Sequence, residues 1–364
     1  MLICTAGWEG AMKLKQISIG SFNLFNLNEP GLPIYTDANG WTAEEHARKI
    51  EWTARNIREL RPDIFGFQEL WHEQSLRAAL AEASLDDEYD VLSPGVTGSG
   101  IVCAAVVRKG LLTGQPEWIV NFPEKFVLAS TGDDPQTPLI SVKIDSFSRP
   151  VLHFTVKPRE DRADVHVYVC HFKSKGPTKV FKEAWFRDDE ATYKKHATGL
   201  GAAISTIRRT AEAAALRFML SEQMKGNDTP VIVLGDVNDG QHSNTVNILT
   251  EQPRYLVGDS VGGGDTSLYT AQTLQEYRNT RDVYYTHIHN DIMESLDHIL
   301  VSQEFYDNSR KRVWIFDGMT VSNDHLNFEA HKETGTNDHG IVCATFKYKP
   351  IRAEAAAIVE GATG

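Results

Sequence analysis

The sequence predicts a protein of mixed α and β structure, in which two β-sheets pack face to face and helices cover their outer faces. Three observations support this α/β (α+β) class. Apolar runs of strand length recur from one end of the chain to the other, helical stretches lie between some of them, and no linker separates them. Ten such runs exceed a typical single sheet, so we expect two mixed sheets.

Each predicted strand is a short run rich in aliphatic and aromatic residues, as in strands that are buried on at least one face. The ten runs cover residues 16–22, 63–68, 101–108, 151–157, 165–172, 230–237, 283–289, 295–302, 312–318 and 340–348. Although the length would permit two domains, the absence of a linker favours one. We place a single domain at residues 12–350, with flexible tails at 1–11 and 351–364.

Helical periodicity predicts three main helices between these strands. They cover residues 42–60, 74–83 and roughly 190–224. The first begins with Thr42 and Glu45 at the spacing of a capping box. The third is rich in alanine, and we expect Gly199 and Gly201 to interrupt its first part.

Composition narrows the class of protein. The chain has 364 residues with 37 Lys and Arg against 49 Asp and Glu, which gives a formal charge of −12, and 41% of its residues are hydrophobic. These values exclude disordered and collagen-like chains. No apolar run approaches the roughly 18 residues needed to cross a bilayer. We therefore expect no stable membrane insertion. The start lacks the regions of a secretory signal, so we expect a cytoplasmic protein. We also expect a monomer.

Polar residues follow or begin several of the apolar runs, where carboxylates, amides and imidazoles recur without thiolates. In chain order they are Asn23, Glu69, His171, Asp236, Asn238, Asp297, Asp338 and His339. Oxygen and imidazole ligands of this kind suit a hard cation such as Mg²⁺ or Mn²⁺. A single carboxylate after a strand is usually a turn former or a helix cap, but the ordered set is harder to explain in that way.

The ordered motifs N, QE, H, GDxN, LDH and DH resemble those of the endonuclease/exonuclease/phosphatase superfamily. This superfamily includes pancreatic deoxyribonuclease, abasic-site endonucleases, bacterial sphingomyelinases and inositol-polyphosphate 5-phosphatases. The match runs from Gln16 to Tyr348, about nine-tenths of the chain. It implies a four-layer α/β/β/α sandwich with one active site at the sheet ends, and it is specific for the superfamily but not for the substrate.

The resemblance also implies a metal site. Glu69 matches the family's metal-binding glutamate, and Asn23 matches an amide close to the phosphate or the metal. Asp338 matches an aspartate near the same ion, which we expect to be Mg²⁺ or Mn²⁺.

The remaining motif residues match catalytic groups of the family. Asp236 and Asn238 match the pair that orients and activates the attacking water. His339 matches a histidine on a non-bridging phosphate oxygen, and Asp297 matches the carboxylate that holds it. His171 matches the second histidine of the deoxyribonuclease and sphingomyelinase branches.

Physical chemistry supports these roles without the family. A phosphodiester is an anion that repels hydroxide, so a metal ion and a cationic histidine are needed to offset its charge. Asp297 is expected to raise the pKa of His339 and fix its tautomer, and Asp236 is expected to accept a proton from water.

The resemblance leaves the partner of His171 open. Deoxyribonucleases of the family pair the second histidine with an acid near the strand that aligns with 101–108, where this chain has none. The partner of His171 and the acid for the leaving group therefore stay unassigned.

Other histidines compete for these assignments. A second Asn-Asp-His occurs at 323–325, but polar residues follow it, whereas Asp338 and His339 lead into an apolar strand. We therefore expect His325 to lie outside the site. His287 and His289 alternate along a strand and are expected on its exposed face rather than at a zinc site.

The segment 171–217 is basic, with ten Lys or Arg against five Asp or Glu. One interpretation is a solvated helix face. The other is a basic lip beside the metal, in which Lys173 and Lys175 bind substrate phosphates and three aromatic residues stack on bases, namely Trp185, Phe186 and Tyr193.

These features predict a Mg²⁺-dependent phosphodiesterase that uses in-line attack of water, with nucleic acid as the expected substrate. A phosphomonoesterase acting on a phosphorylated small molecule and a sphingomyelinase-type phospholipase acting on a lipid head group are the enzymatic alternatives. An inactive phosphate-binding module is the alternative from another class, and the intact motif set argues against it. The basic segment favours a polyanionic substrate, and the absence of an apolar hairpin or a signal peptide disfavours a secreted lipid hydrolase.

Overall fold

The computed structural model describes residues 13–95, 100–255, 264–281, 285–327 and 330–351. In this part of the chain, two mixed six-stranded sheets pack face to face with helices on their outer faces, which confirms the predicted fold class. The predicted tails lie outside the described residues, except for Ile351.

The described strands and helices are as follows. The strands are β1 (Gln16–Leu27), β2 (Ile64–Leu70), β3 (Tyr89–Leu92), β4 (Val102–Arg108), β5 (Leu112–Asn121), β6 (Ala129–Ser130), β7 (Ile140–Ser141), β8 (Ser146–Val156), β9 (Val165–His171), β10 (Val231–Asp236), β11 (Tyr269–Thr270), β12 (His287–His289), β13 (Ile292–Glu294), β14 (Asp297–Val301), β15 (Trp314–Ser322) and β16 (Ile341–Tyr348). The helices are α1 (Ala43–Leu60), α2 (Glu73–Glu82), α3 (Ala184–Asp188), α4 (Glu190–Tyr193), α5 (Ala197–Met224), α6 (Asn244–Thr250), α7 (Ala271–Arg278) and α8 (His331–Thr334).

Each large sheet contains one parallel pair at its centre. The first sheet has the order β15-β16-β1-β2-β4-β3, in which β1 and β2 are parallel. The second has the order β11-β14-β10-β9-β8-β5, in which β10 and β9 are parallel. Because β16 and β14 run antiparallel to these central strands, their first residues lie at the edge where β1, β2, β9 and β10 end. This topology brings the predicted site residues to one edge.

The main core lies between the two sheets. It is built from aliphatic residues of both central pairs, among them Ile19, Ile64 and Val169, which are fully buried. Gly66 permits a close approach of the two sheets, since a Cβ atom there would lie 2.1 Å from Leu234 Cδ1. Two further clusters fill the space under α1 and α2 on one side and under α5 and α6 on the other.

The three predicted main helices are present, and the third differs from the prediction at its glycines. Thr42 and Glu45 form the predicted capping box at the start of α1. The long helix is interrupted before Ala197, and α5 then continues through Gly199 and Gly201, so the prediction that these glycines interrupt it is wrong. At Gly201 a Cβ atom would lie 2.3 Å from the carbonyl oxygen of Thr178, so glycine permits the loop to pack closely on the helix.

Three strands of the large sheets were not predicted, namely β3, β5 and β11. β3 has only four residues, β11 has two, and β5 contains Gly114 and Pro116, which are unusual inside a strand. All three lie at sheet edges, where proline is tolerated. Of the predicted run 283–289, only His287–His289 is a strand, and residues 283–284 lie outside the described residues. None of the described helices combines the length and the apolar character that a bilayer crossing needs.

Candidate active site

The predicted polar residues meet at one edge of the two sheets. Asp236 ends β10 and is paired in register with His171 of β9 on one side and with Asp297 of β14 on the other. From the opposite sheet, Asn23 donates from Nδ2 to Asp236 Oδ2 over 3.3 Å. This hydrogen bond joins the two sheets inside the site.

A bulge in β1 orients Glu69. Phe25 and Asn26 have φ values of 50° and 55°, and the pairing of β1 with β2 shifts register across them. The backbone amide of Asn26 donates to Glu69 Oε2 over 3.0 Å, and that of Phe25 donates to Asn23 Oδ1 over 3.0 Å. Glu69 itself has φ 61°, a strained conformation for a residue with a side chain. The local strain therefore places a carboxylate and an amide at the end of the sheet.

Asp236 is the most central carboxylate. Its Oδ1 accepts a hydrogen bond from the backbone amide of Asn238 over 2.8 Å, and its Oδ2 lies 3.5 Å from His171 Nε2 and 3.8 Å from His339 Nε2. Burial raises the pKa of Asp236 to about 7, with the charge of Asp297 acting in the same direction. Such a carboxyl group exchanges its proton near neutral pH.

His339 has an acid partner. Its Nδ1 donates to Asp297 Oδ2 over 2.8 Å, and both side chains are buried. Burial alone would lower the pKa of His339, but the charges of Asp297 and Asp236 outweigh it and hold this pKa well above its ordinary value. The predicted pairing is therefore present, and it favours an imidazolium with Nε2 directed toward Asp236.

His171 has no such partner. Its Nδ1 is buried and forms no hydrogen bond with any described residue. Burial lowers the pKa of His171 well below its ordinary value, and the positive charges of Arg149 and His339 lower it further. The imidazole is therefore neutral at neutral pH. This agrees with the sequence, in which no acid partner for His171 was found.

The oxygen donors fit a hard cation. Asp338 Oδ1 is buried without a hydrogen bond to the part of the chain that the structure describes, which leaves it available as a ligand. Burial raises the pKa of Glu69, and the nearby Asp338 carboxylate raises it further, a repulsion that a divalent cation would relieve. One ligand atom each from His287, Asp338 and His339 lie within 4.8 Å of one another. The residues present fit a site for a divalent cation.

The loop that carries Asp338 is supported from behind by a buried lysine, which sequence reasoning missed. Lys49 of α1 is fully buried, and its Nζ donates to the carbonyl oxygen of Thr336 over 3.1 Å and to Oδ1 of Asn337. Asn337 in turn donates from Nδ2 to the carbonyl oxygen of Asn23. Burial lowers the pKa of Lys49 to about 7. The available signal in the sequence was a lysine on the same helix face as apolar residues.

Of the two competing histidine assignments, the one for His287 needs correction. His287 lines the site instead of an exposed strand face: its Nδ1 donates to the carbonyl oxygen of Asp338 over 2.9 Å, and its ring lies 4.8 Å from that of His339. His325 stays outside the cavity, yet its Nε2 donates to the carbonyl oxygen of His339 over 2.8 Å. Both histidines therefore support the Asp338 and His339 backbone.

Lys173 and Lys175 already have protein partners. Lys175 Nζ lies 2.7 Å from Glu294 Oε1 and 3.6 Å from Asp239 Oδ1. Lys173 Nζ donates to Ser174 Oγ over 3.2 Å and to the carbonyl oxygen of Gly176 over 3.3 Å. Of the two, only Lys175 lines the cavity, so phosphate binding by this pair stays a prediction.

A cavity of about 590 Å³ opens over these groups. Its wall adds two residues that had no sequence signal, Arg149 of β8 and Tyr35 of the loop before α1. Arg149 forms no ion pair among the described residues, and one guanidinium nitrogen donates to the carbonyl oxygen of Phe172 over 3.1 Å. Tyr35 is exposed and stands edge-on to Trp71, with ring centroids 5.2 Å apart. The proposed stacking residues Trp185, Phe186 and Tyr193 contact one another and do not line this cavity.

Solved structures resemble this fold at low sequence identity. Truncated TDP2 from Caenorhabditis elegans is 14% identical, with a TM-score of 0.52 over 92% of this chain and 99% of that chain. D. rerio TDP2 complexed with a single-strand DNA product is 14% identical, with a TM-score of 0.51 over 91% and 99%. A mannosyl-6-phosphatase from Bacteroides thetaiotaomicron is 16% identical, with a TM-score of 0.49 over 91% and 100%.

Comparison with curated proteins gives no match. The model of the Endonuclease/Exonuclease/phosphatase family matches residues 21–325, which cover most of the chain and most of the site described above. Its members are metal-dependent hydrolases of phosphoester bonds. This chain belongs to the Endonuclease/Exonuclease/phosphatase family.

Proposed function

We propose that the protein is a Mg²⁺- or Mn²⁺-dependent phosphodiesterase, and specifically a nuclease, that hydrolyses its substrate by in-line attack of water. The observation that carries this proposal is the position of Asp236, a carboxyl group with a pKa of about 7, between two buried imidazoles and opposite Glu69. A general base, a cationic group and oxygen donors for a metal thus surround one cavity.

Asp236 accepts the proton of the attacking water. Its anionic form is accessible near pH 7 because the folded protein raises its pKa to that value. Asn238 is fixed beside it, since its Nδ2 donates to the carbonyl oxygen of Phe172 over 3.0 Å. The remaining amide oxygen is free to orient the same water.

His339 donates from Nε2 to a non-bridging phosphate oxygen. Asp297 keeps Nδ1 protonated and thereby fixes the tautomer, as carboxylates do for catalytic histidines. Glu69 and Asp338, with Asn23 near them, would hold the cation, which supplies Lewis-acid stabilisation of charge on the phosphoryl and leaving oxygens. Because His171 is held neutral, we assign it hydrogen bonding to the substrate rather than protonation of the leaving group.

One wall of the cavity favours a nucleic acid over a simple phosphomonoester. Arg149 is a guanidinium without a carboxylate partner in the described residues, and it is well placed for a phosphate next to the scissile one. Tyr35 is 61% exposed at the same wall, so its ring face is available to stack on a base. The fold likeness to a TDP2 structure that holds a DNA product agrees with this choice of substrate to test first.

The test is a panel of plasmid DNA, single-stranded DNA, RNA, sphingomyelin, a sugar phosphate and a chromogenic phosphodiester, each with Mg²⁺, Mn²⁺ or EDTA. We expect cleavage of a nucleic acid with either metal and none in EDTA. Glu69→Ala should lose at least about 100-fold in kcat/KM, whereas Glu82→Ala, at an exposed position on α2, should keep full activity.

Three results would change the proposal. Full activity in EDTA would refute the metal site. Activity confined to the sugar phosphate or to sphingomyelin would replace the nuclease with a phosphomonoesterase or a phospholipase. Binding of metal and phosphate without turnover of any substrate would identify an inactive module.

A further inference from the structure

A second cavity lies at the opposite end of the sandwich. We call it the distal cavity; its volume is about 360 Å³, and it is lined by the segments at 158–165, 228–230, 310–314 and 350–351 together with Glu304. It is bordered by Val165, where β9 begins, while His171 at the other end of that strand borders the catalytic cavity. Six residue steps at about 3.3 Å each separate the two sites by about 20 Å. A ligand in the distal cavity therefore does not touch the catalytic residues.

The wall of the distal cavity is basic although the chain as a whole is acidic. Its cationic residues are Arg159, Arg162, Arg310, Lys311 and Arg312, and its acidic residues are Asp228 and Glu304. The chain carries a formal charge of −12, so this wall concentrates positive charge against the overall balance. Local charge of this kind attracts anions.

Some of these cations are neutralised within the protein and others are not. Arg159 is buried, pairs with Asp161 through two nitrogens at 2.9 and 3.0 Å, and stacks on Tyr348. Lys311 pairs with Asp228 over 2.7 Å. The charges of Arg159 and Lys311 are therefore largely neutralised by carboxylates of the protein.

Three guanidinium groups keep their charge for a ligand. Arg162, Arg310 and Arg312 have no carboxylate within 4.0 Å among the residues that the structure describes. Arg312 is fixed by donating to the carbonyl oxygens of Asp307 and Lys349 over 2.7 and 3.0 Å. Guanidinium groups match the oxygens of a phosphate in pairs, so this set fits a doubly charged anion.

The rest of the wall indicates that the anion carries an organic body. Glu304 is 2% exposed and borders the cavity, and Ser302 Oγ donates to its Oε2 over 2.5 Å. A carboxyl group in the wall repels a bare anion but accepts hydrogen bonds from hydroxyl groups. Val313 and Trp314 add apolar surface, and the volume lies in the range of small-molecule sites.

We propose that the distal cavity is a second binding site, which takes the phosphate monoester of a small hydroxylated molecule. The guanidinium groups of Arg162, Arg310 and Arg312 hold the phosphate, and Glu304 accepts from a hydroxyl group of the body. Sugar phosphates and nucleoside monophosphates share this chemistry. The site is independent of the function proposed above.

The experiment is isothermal titration calorimetry of the full chain with ribose 5-phosphate, AMP and inorganic phosphate. EDTA is present so that no divalent cation contributes. We expect both esters, or AMP alone if the base also contributes, to bind more tightly than inorganic phosphate. The double variant Arg162→Ala, Arg310→Ala should weaken binding by about tenfold or more, because two charged hydrogen bonds are lost. Both arginines are exposed, so the variant should fold.

Two controls decide where the ester binds. Arg55→Ala removes an exposed arginine from α1 and should leave the affinity unchanged. His339→Ala alters the catalytic cavity and should also leave it unchanged. The proposal is overturned if neither ester gives a heat of binding, if inorganic phosphate binds as tightly as both esters, or if His339→Ala abolishes binding while the double arginine variant retains it.

Discussion

His339 and His171 are both buried imidazoles directed at Asp236, yet they differ in charge. The Nε2 atoms of the two rings lie 3.8 and 3.5 Å from the same carboxylate oxygen. Asp297 stands behind His339 at 2.8 Å, whereas no described residue bonds to Nδ1 of His171. The pKa of His339 is held well above its ordinary value after burial is offset by two carboxylates, and burial with Arg149 keeps that of His171 well below.

The group that bonds to the second ring nitrogen of a histidine therefore decides its charge, even when two histidines are equally buried. A site with one imidazolium and one neutral imidazole has a cationic side and a neutral side around the scissile phosphate. The charge that His171 lacks is present nearby on Arg149, whose side chain borders the same cavity. Substitutions on the two sides should therefore have different effects.

Asp236 lies between the histidines, so changing it should have the largest effect. Asp236→Asn removes the proposed base and should lower kcat by about 100- to 10,000-fold. For the parent protein, kcat/KM should rise with pH through about 7 as Asp236 loses its proton, and this limb should vanish in the variant. The measurement is a pH–rate profile on a chromogenic diester. An unchanged limb in Asp236→Asn would assign the base to another group.

The same variant gives a stability test with a definite sign. The pKa of Asp236 is about 7 in the folded protein and about 3.9 when unfolded. The native state therefore binds more protons between these values, and stability falls as pH rises from 4 to 7. In EDTA, Asp236→Asn should raise the Tm at pH 8 and change it little at pH 5. A lower Tm at pH 8 would contradict the raised pKa.

The next prediction compares the two histidines directly. His339→Ala should lower kcat by about 100- to 1,000-fold, because the cationic donor to the phosphate is lost. His171→Gln keeps a neutral hydrogen-bonding group and should cost about tenfold or less. His196→Ala, at an exposed position before α5, is the control for substituting a histidine. Equal losses at His339 and His171 would show that the difference in charge has no catalytic consequence.

A third change makes His339 resemble His171. Asp297→Asn removes the carboxylate that raises the pKa of His339. The imidazolium should then lose its proton at lower pH, so the falling alkaline limb of kcat/KM should move to lower pH, and the rate at pH 8 should drop by about 10- to 100-fold. At pH 6 the loss should be smaller. A loss that does not vary with pH would indicate that Asp297 acts on position alone.

These tests separate what the sequence predicts from what it does not. The motif residues on strand ends were predictable because the sheet topology carries strand ends to one edge, and Asp338 was separated from the competing motif by the apolar strand after it. Arg149 and Tyr35 were not predictable, since a single polar residue within a strand or in a loop has no period or spacing that marks it. Lys49 was visible only as a charge between apolar positions of α1.

The smallest expected effect concerns the loop after His171. Lys175 is ion-paired with Glu294 and Asp239, and Lys173 donates within its own loop, so neither is fully available to a phosphate. Lys173→Ala, Lys175→Ala should therefore raise the KM for a polynucleotide by only about two- to fivefold and slightly flatten its salt dependence, since few counterions are released at these positions.

A matched pair of lysines tests whether the neutral side of the site contacts flanking phosphates at all. Lys194→Ala, Lys195→Ala removes the same charge from exposed positions in the same basic segment and should leave KM unchanged. A small chromogenic diester has no flanking phosphates, so its kcat/KM should also be unchanged in both variants. Equal losses on both substrates in Lys173→Ala, Lys175→Ala would place these lysines at the reacting phosphate, in addition to Arg149. No loss on either substrate would assign the two lysines to fixing the loop and the β12–β13 hairpin through Glu294.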